Sequence, residues 1–287
     1  MRLGIFAKTF PGRDPLTVMQ AARAAGYASV QYNMACSGLD PMPDAISPEV
    51  AAAIRAGSSE TGIAVAAVSG TYNMIHPDPA VRADGLRRLG LLIGAARALG
   101  TGMVTLCTGT RDAADQWRHH PDNATPGAWG DLLTEMAKAA PIAEAAGAPL
   151  RPAPAGVTLG IEPELANVVN SARAARRLID TLQSPALAVV LDPANLFEVA
   201  PDHDRIIAGA VDLLADRIVM AHAKDRNAGG GFVAAGQGVV DFPAFVTRLS
   251  QAGFAGDLVT HRLSLHEAPA VAAYLAAVRA VKPAVVD

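Results

Sequence analysis

Cysteine is nearly absent: only Cys36 and Cys107 occur in 287 residues, 71 positions apart and outside any Cys-x-x-Cys or Cys/His spacing. That scarcity argues against a disulfide framework and against a thiolate zinc site, and makes a reducing interior the natural setting. Basic charge is equally thin. Lys and Arg number 24 against 27 Asp and Glu, a formal net charge of −3, and they are scattered along the chain. A nucleic-acid partner therefore has no electrostatic support, whereas an uncharged small substrate is permitted. No stretch nears the 18 or so apolar residues of a membrane span. The opening MRLGIFAKTF carries too short an apolar run for a signal-peptide core and reads as a first strand. The expected location is the cytoplasm, with neither membrane nor nucleic acid as partner.

What is present is a large apolar fraction, 51% of the chain, enough for either one barrel of about 250 residues or two average domains. Strand-like runs recur at 3–8, 29–33, 64–70 and 103–109, and then as VTLGIE, LAVVLD, IVMAH and DLVTH in the second half. Between them, helical spacing predicts helices over 14–26, 47–57, 84–100, 128–147, 171–182, 204–215, 241–253 and 267–281. Gly26, Gly57, Gly100, Gly147 and Gly253 stand where left-handed helix caps would turn the chain back toward a sheet. Eight alternating units with right-handed crossovers close most simply into a (β/α)8 TIM barrel, although a doubly wound open sheet shares the pattern. No linker divides the chain, so a single domain over 1–287 is expected.

Each of the four apolar runs in the second half ends on a residue able to bind a metal: Glu162, Asp192, His222 and His261. Their intervals of 30, 30 and 39 residues each accommodate a strand, a loop and a returning helix. A carboxylate or imidazole at the carboxyl end of a buried parallel strand has left the core and points into a crevice where ligands bind. Any one of them alone reads equally well as a satisfied polar group, paired with Lys224 or Arg262; four in consecutive units make a candidate metal site.

Polar side chains at the other strand ends are candidates for binding substrate hydroxyls: Lys8, Asn33, Asn73, His76, Thr108, Asn195, Lys224 and Asp225. Lys224 and Asp225 also suit a structural ion pair. Glu164 stands two residues beyond Glu162, facing either substrate or solvent. His119 and His120 read as solvated, and Trp117 and Trp129 as packing or subunit contacts rather than as lids over a sugar. The loop GAPLRPAPAG (147–156) precedes a strand and so belongs at the barrel bottom as a stiff connector. DRNAGGGFVAAGQG (225–238) follows the strand ending at His222, and its glycines suit either a loop moving over a ligand or one that is merely flexible.

These residues resemble the sugar isomerase and epimerase family with the xylose-isomerase-like barrel: LGIEPE with Asn167, LDPAN, AHAKD, and GQGVVDFPAFVTRLSQAGFAGDLVTHR, supported by SGTYNMIHP over 69–77. The resemblance spans nearly the whole chain. It implies one divalent metal held at strand ends by a Glu, an Asp, a His and a last-strand Glu, of which the first three map onto Glu162, Asp192 and His222. Two departures stand out: His261 replaces the last-strand Glu, and Asn195 stands where many members carry His.

Family epimerases use the first and last Glu as acid and base on opposite faces of the substrate carbon, which the resemblance carries to Glu162 as base and His261 as the group returning the proton. A two-carboxylate, two-imidazole set suits Mn²⁺, Zn²⁺, Fe²⁺ or Co²⁺ better than Mg²⁺, which prefers oxygen donors. The implied activity is metal-dependent isomerisation or epimerisation of a sugar or keto-sugar through an ene-diolate. A sugar lyase or dehydratase on the same barrel and a non-catalytic sugar binder are alternatives. Metal-dependent phosphodiester cleavage would require several metals, many His ligands and a basic surface, against seven His and a net charge of −3. No Arg-rich stretch marks a phosphate pocket, so an unphosphorylated substrate is expected. The Ala-rich outer helices permit a homo-oligomer without requiring one.

Overall fold

Eight strands pair in parallel and close on themselves in the computed structural model, which describes residues 1–146 and 156–280. The barrel strands are β1 (Arg2–Phe6), β2 (Ser29–Tyr32), β3 (Ala64–Ser69), β4 (Met103–Leu106), β5 (Thr158–Ile161), β6 (Leu187–Leu191), β7 (Ile218–Arg226) and β9 (Asp257–Thr260). Neighbours in the chain are neighbours in the sheet, and closure comes from β1 beside β9, with Arg2 opposite Asp257. A short β8 (Phe232–Ala234) pairs antiparallel with the end of β7 outside the barrel ring.

Among the described residues eight α-helices surround the ring: α1 (Pro15–Ala24), α2 (Pro48–Thr61), α3 (Pro79–Ala95), α4 (Pro126–Ala145), α5 (Ala172–Leu182), α6 (His203–Leu214), α7 (Phe242–Gln251) and α8 (Ala268–Ala280). Their starts are written locally. Asp14, Ser47, Asp78, Thr125, Ser171 and Asp241 each accept a backbone N–H of the first turn through the side chain. Four of those six caps directly precede a proline, and Asp241 stands two residues before Pro243; the missing N–H costs nothing in that first turn.

The expected bounds move most for α2 and α3, the latter also ending at Ala95 rather than at Gly100. α2 does not stop at Gly57 but runs to Thr61 and caps on Gly62, φ 72°. Gly57 serves packing instead: a Cβ there would lie 3.2 Å from the Leu16 amide nitrogen, so its bareness lets α1 and α2 approach closely. α3 begins at Pro79 rather than at residue 84, because the Asp78 cap outweighs the polar start that hides its periodicity. The 147–155 connector and its Gly147 cap lie outside the described residues.

The larger core lies between ring and helices, whereas Ala67, Val190, Met220 and Val259 form a separate cluster inside the ring. Below it Asp257 accepts from Arg2 and from Ser29, closing the amino-terminal end with polar groups. Side chains alternate along a strand, so those two residues beyond the interior cluster also face inward, at the carboxyl end. Val190 leads to Asp192, Met220 to His222 and Lys224, Val259 to His261, and on β5 Gly160 leads to Glu162 and Glu164.

Candidate metal centre and active site

That alternation delivers four donors to one point. One ligand atom each from Glu162, Asp192, His222 and His261 can be chosen so that all lie within 4.8 Å of one another. His222 Nδ1 stands 3.2 Å from Glu162 Oε1 and 3.7 Å from Asp192 Oδ2, and His261 Nε2 stands 3.1 Å from the same Asp192 oxygen. The two imidazole rings meet edge-on with centroids 4.7 Å apart. Asp192 is fully buried, and His222 nearly so.

Two oxygen and two nitrogen donors gathered at one point, Asp192 and His222 buried and Glu162 and His261 facing the cavity, fit a divalent transition ion. The orientation of His222 adds to that fit. Its Nε2 hydrogen is accepted by Gln31 Oε1 at 2.8 Å, while Gln31 Nε2 donates to Ser69 and Thr105 at 3.1 Å each. Gln31 follows a register shift between β2 and β3, a type of irregularity that re-aims side chains. Because the amide end of Gln31 is committed, its carbonyl must take the imidazole hydrogen, which leaves the Nδ1 lone pair toward the carboxylates.

The electrostatics follow from burial and neighbours. Burial would raise the Glu162 carboxyl, but His222 beside it prevails and holds it below the ordinary carboxylate range. Asp192 is likewise opposed by burial and brought well below its ordinary value by Lys224, 3.2 Å away, and by both imidazoles. Burial alone would lower His222, yet the two acids raise it to about 9. Burial dominates at His261 and pushes it down to about 4, so that imidazole is neutral. Glu164, buried beside Glu162, is pushed up to about 7.

Above the donors opens a cavity of about 440 Å³, walled by Lys8, Gln31, Asn33, Glu164, Asn195, Lys224 and Arg262 among others. Asn195 bridges the site: its amide donates to Glu162 Oε1 at 2.7 Å, and its carbonyl accepts from Lys224. Lys8, Asn33, Asn195 and Lys224 thus stand where the strand-end argument expects them. Trp117, expected as packing, lines the cavity and is 44% exposed. Trp129 lies elsewhere, under the Arg177 guanidinium.

Other expected contacts are corrected. Asn73 does not line the cavity: buried, it donates to the Asp112 carbonyl and accepts the Thr110 amide, stapling two loops. His76 is spent on the Ala113 carbonyl and the Asp78 amide. The Thr108 hydroxyl accepts the Val169 amide. Asp225 is neither a hydroxyl binder nor a partner of Lys224, because its carboxylate accepts four backbone N–H groups, from Arg226, Gly236, Gly238 and Val240.

Those four bonds also change the reading of 225–238. The segment is a hairpin of β7 and β8 folded around Asp225, not a free glycine loop. Gly238 is obligatory there, since a Cβ would fall 2.1 Å from the Arg226 carbonyl oxygen. Sequence reasoning missed Gln31 and Arg262 as parts of the site. A glutamine inside the apolar run of β2 was the available signal for the first.

The family model described as the xylose isomerase-like TIM barrel matches residues 19–282. No curated protein matches the sequence. Among solved structures, a 3-keto-D-glucoside 4-epimerase from E. coli in its apo form aligns with a TM-score of 0.72 at 15% identity, covering 96% of this chain and 99% of that one. An L-ribulose 3-epimerase aligns at 0.73 and 21% identity, over 97% and 94% of the two chains. A D-psicose 3-epimerase with D-tagatose from Clostridium cellulolyticum H10 aligns at 0.72 and 16% identity, over 97% and 99%. At such identities the likeness establishes the shared barrel. With the match of the family model over most of its length, the chain belongs to the family of xylose isomerase-like TIM barrels.

Proposed function

We propose that this chain is a metal-dependent isomerase or epimerase of a sugar or keto-sugar. The observation that carries the reading is the convergence of two carboxylates and two imidazoles at the floor of a polar cavity. The similarity to solved keto-sugar epimerases supports the same reaction class. Glu162, Asp192, His222 and His261 would hold one divalent ion, Mn²⁺, Zn²⁺, Fe²⁺ or Co²⁺ in preference to Mg²⁺. Such an ion supplies Lewis acidity, drawing charge from a hydroxyl and the adjacent carbonyl so that the neighbouring C–H becomes acidic.

The protein's own part is to move the proton. Asn195 and His222 fix Glu162 Oε1, and among the described residues Oε2 makes no hydrogen bond, which leaves it free to act as the base. We assign return of the proton to His261, which follows β9; burial keeps its imidazole neutral at rest, so it must first take that proton up from solvent. Lys224 and Asn195 border the same space and bind substrate oxygens, and Lys8 does so at the rim. A lyase would begin with the same deprotonation and then expel a β-hydroxyl.

The test is to incubate protein loaded with about one Mn²⁺ per chain with a panel of ketoses and keto-sugars in D₂O, followed by NMR. Deuterium entering one carbon together with appearance of its epimer or isomer is the expected result. Loss of water would move the protein to the lyase class. Full metal occupancy without deuterium uptake into any sugar would overturn the reading.

A further inference from the structure

Two consecutive residues, His261 and Arg262, both line the cavity. In an extended chain they would point to opposite faces. The alternation fails here because Arg262 adopts φ 61°, the left-handed backbone that L-residues other than Gly, Asn and Asp rarely adopt. Gln183, at a helix end, is the other non-glycine residue with positive φ among the described residues, and at Arg262 the conformation brings an arginine to the cavity.

That guanidinium lies in the field of Glu164 and shares its aromatic neighbour with other cations. The Phe232 ring of β8 collects three positive groups: Arg226 at 3.9 Å, Lys224 at 4.1 Å and Arg262 at 5.6 Å from its centroid. Lys224 is neutralised by Asp192. Arg226 is bound to the Ala194 and Gly230 carbonyls and lies in the field of Glu198. Arg262 has no carboxylate within 4 Å among the described residues, and neither does Lys8 on the same cavity wall. The ring holds cations by its face, but it cannot offset their charge.

A charge count sharpens the point. Lys8, Lys224 and Arg262 bring three positive charges to the cavity, against Glu162, Glu164 and Asp192 even when all three acids are ionised. A divalent ion would leave the loaded pocket about two charges positive, on a protein whose net charge is −3. A positive mouth on a negative molecule draws in and selects anions.

Resting on the proposed sugar chemistry, we infer that the substrate carries a terminal anionic group, a carboxylate or a phosphate, and that Arg262 with Lys8 recognises it. The planar guanidinium matches either group with two parallel hydrogen bonds, and Lys8 adds a point charge. This narrows the substrate class below that suggested by composition, which permits a neutral one.

The experiment uses metal-loaded protein and three probes of similar length: D-fructose, which is neutral, 5-keto-D-gluconate, with a carboxylate remote from its ketone, and D-fructose 6-phosphate. Binding is read by calorimetry and by the fluorescence of Trp117 on the cavity wall, independently of turnover. One anionic probe should bind at least 10-fold more tightly than fructose, and its identity assigns the carboxylate or the phosphate. Arg262→Gln should weaken that probe by about 10- to 100-fold, with fructose unchanged and with a flattened salt dependence. Arg262→Asn keeps a residue at ease with positive φ, so loss of selectivity in that variant is not a folding defect. Equal binding of the three probes, or selectivity that survives both substitutions and Lys8→Gln, would overturn the inference. The proposed reaction fails separately, if an anionic probe binds through Arg262 but exchanges no carbon-bound hydrogen.

Discussion

Gln31 on β2 accepts the Nε2 hydrogen of His222 on β7 across the interior of the barrel, at 2.8 Å, and so decides which nitrogen of that imidazole faces the acids. Removing the acceptor frees the ring to turn and to exchange tautomers. Gln31→Met, close in volume, should weaken binding of Mn²⁺ or Zn²⁺ by about 10- to 100-fold with little change in the far-ultraviolet circular dichroism spectrum. Competition titration against a metal-sensitive dye measures this; an unchanged affinity would show that the contact is incidental.

Metal capture should depend on pH through His222. The two acids raise it from 6.5 to about 9, so the metal-free protein holds a proton that an ion must displace. Affinity should therefore rise between pH 6.5 and 9, by up to about tenfold per unit. The sign for folding is opposite. The raised group stabilises the metal-free fold fully below pH 6.5, and that contribution is lost as pH climbs through 9. Calorimetry in two buffers of different ionisation enthalpy counts the released proton, and melts of chelated protein follow the stability. No proton release at pH 7 would contradict the assignment.

His261→Glu replaces a nitrogen donor by an oxygen donor beside Asp192. The variant should gain affinity for Mg²⁺ relative to Zn²⁺. Binding titrations with both ions, on wild type and variant, decide it through the ratio rather than through either constant alone.

Glu162→Gln removes the proposed base while keeping the size and the Asn195 contact within reach. Solvent deuterium exchange into the substrate should fall by about 10²- to 10⁴-fold. A parallel metal titration separates lost chemistry from a lost ion, and exchange at the wild-type rate would favour the non-catalytic reading.

Asp225→Asn tests the hairpin. The carboxylate accepts four backbone N–H groups while fully buried, and an amide can accept at only one of its two ends. Stability should drop by about 2–4 kcal/mol, seen as a lower midpoint in urea. A change below about 0.5 kcal/mol would mean that the hairpin holds without this carboxylate.

The barrel and its four donors were legible because they depend on periodicities that the sequence displays: apolar runs at β/α spacing, each ending on a donor that alternation then turns inward. Asn73, His76 and Asp225 were misread for a different reason. A polar residue in a loop after a strand looks the same in sequence whether its side chain meets a ligand or folds back onto neighbouring backbone groups, and the partners that separate the two are brought together only by tertiary packing. Arg262 was hidden because its place depends on one backbone torsion that breaks the alternation by which the other residues were placed.

The seam between Arg2 and Asp257 joins residues 255 positions apart. During synthesis the first strand must wait for nearly the whole chain before it finds its final neighbour, and His261, which follows that neighbour directly, emerges from the ribosome later still. A nascent chain stalled before the seam forms has three of the four donors but not the enclosure that holds them together. An ion held by all four donors would therefore report that the ring has shut, and its release would probe the last step of maturation.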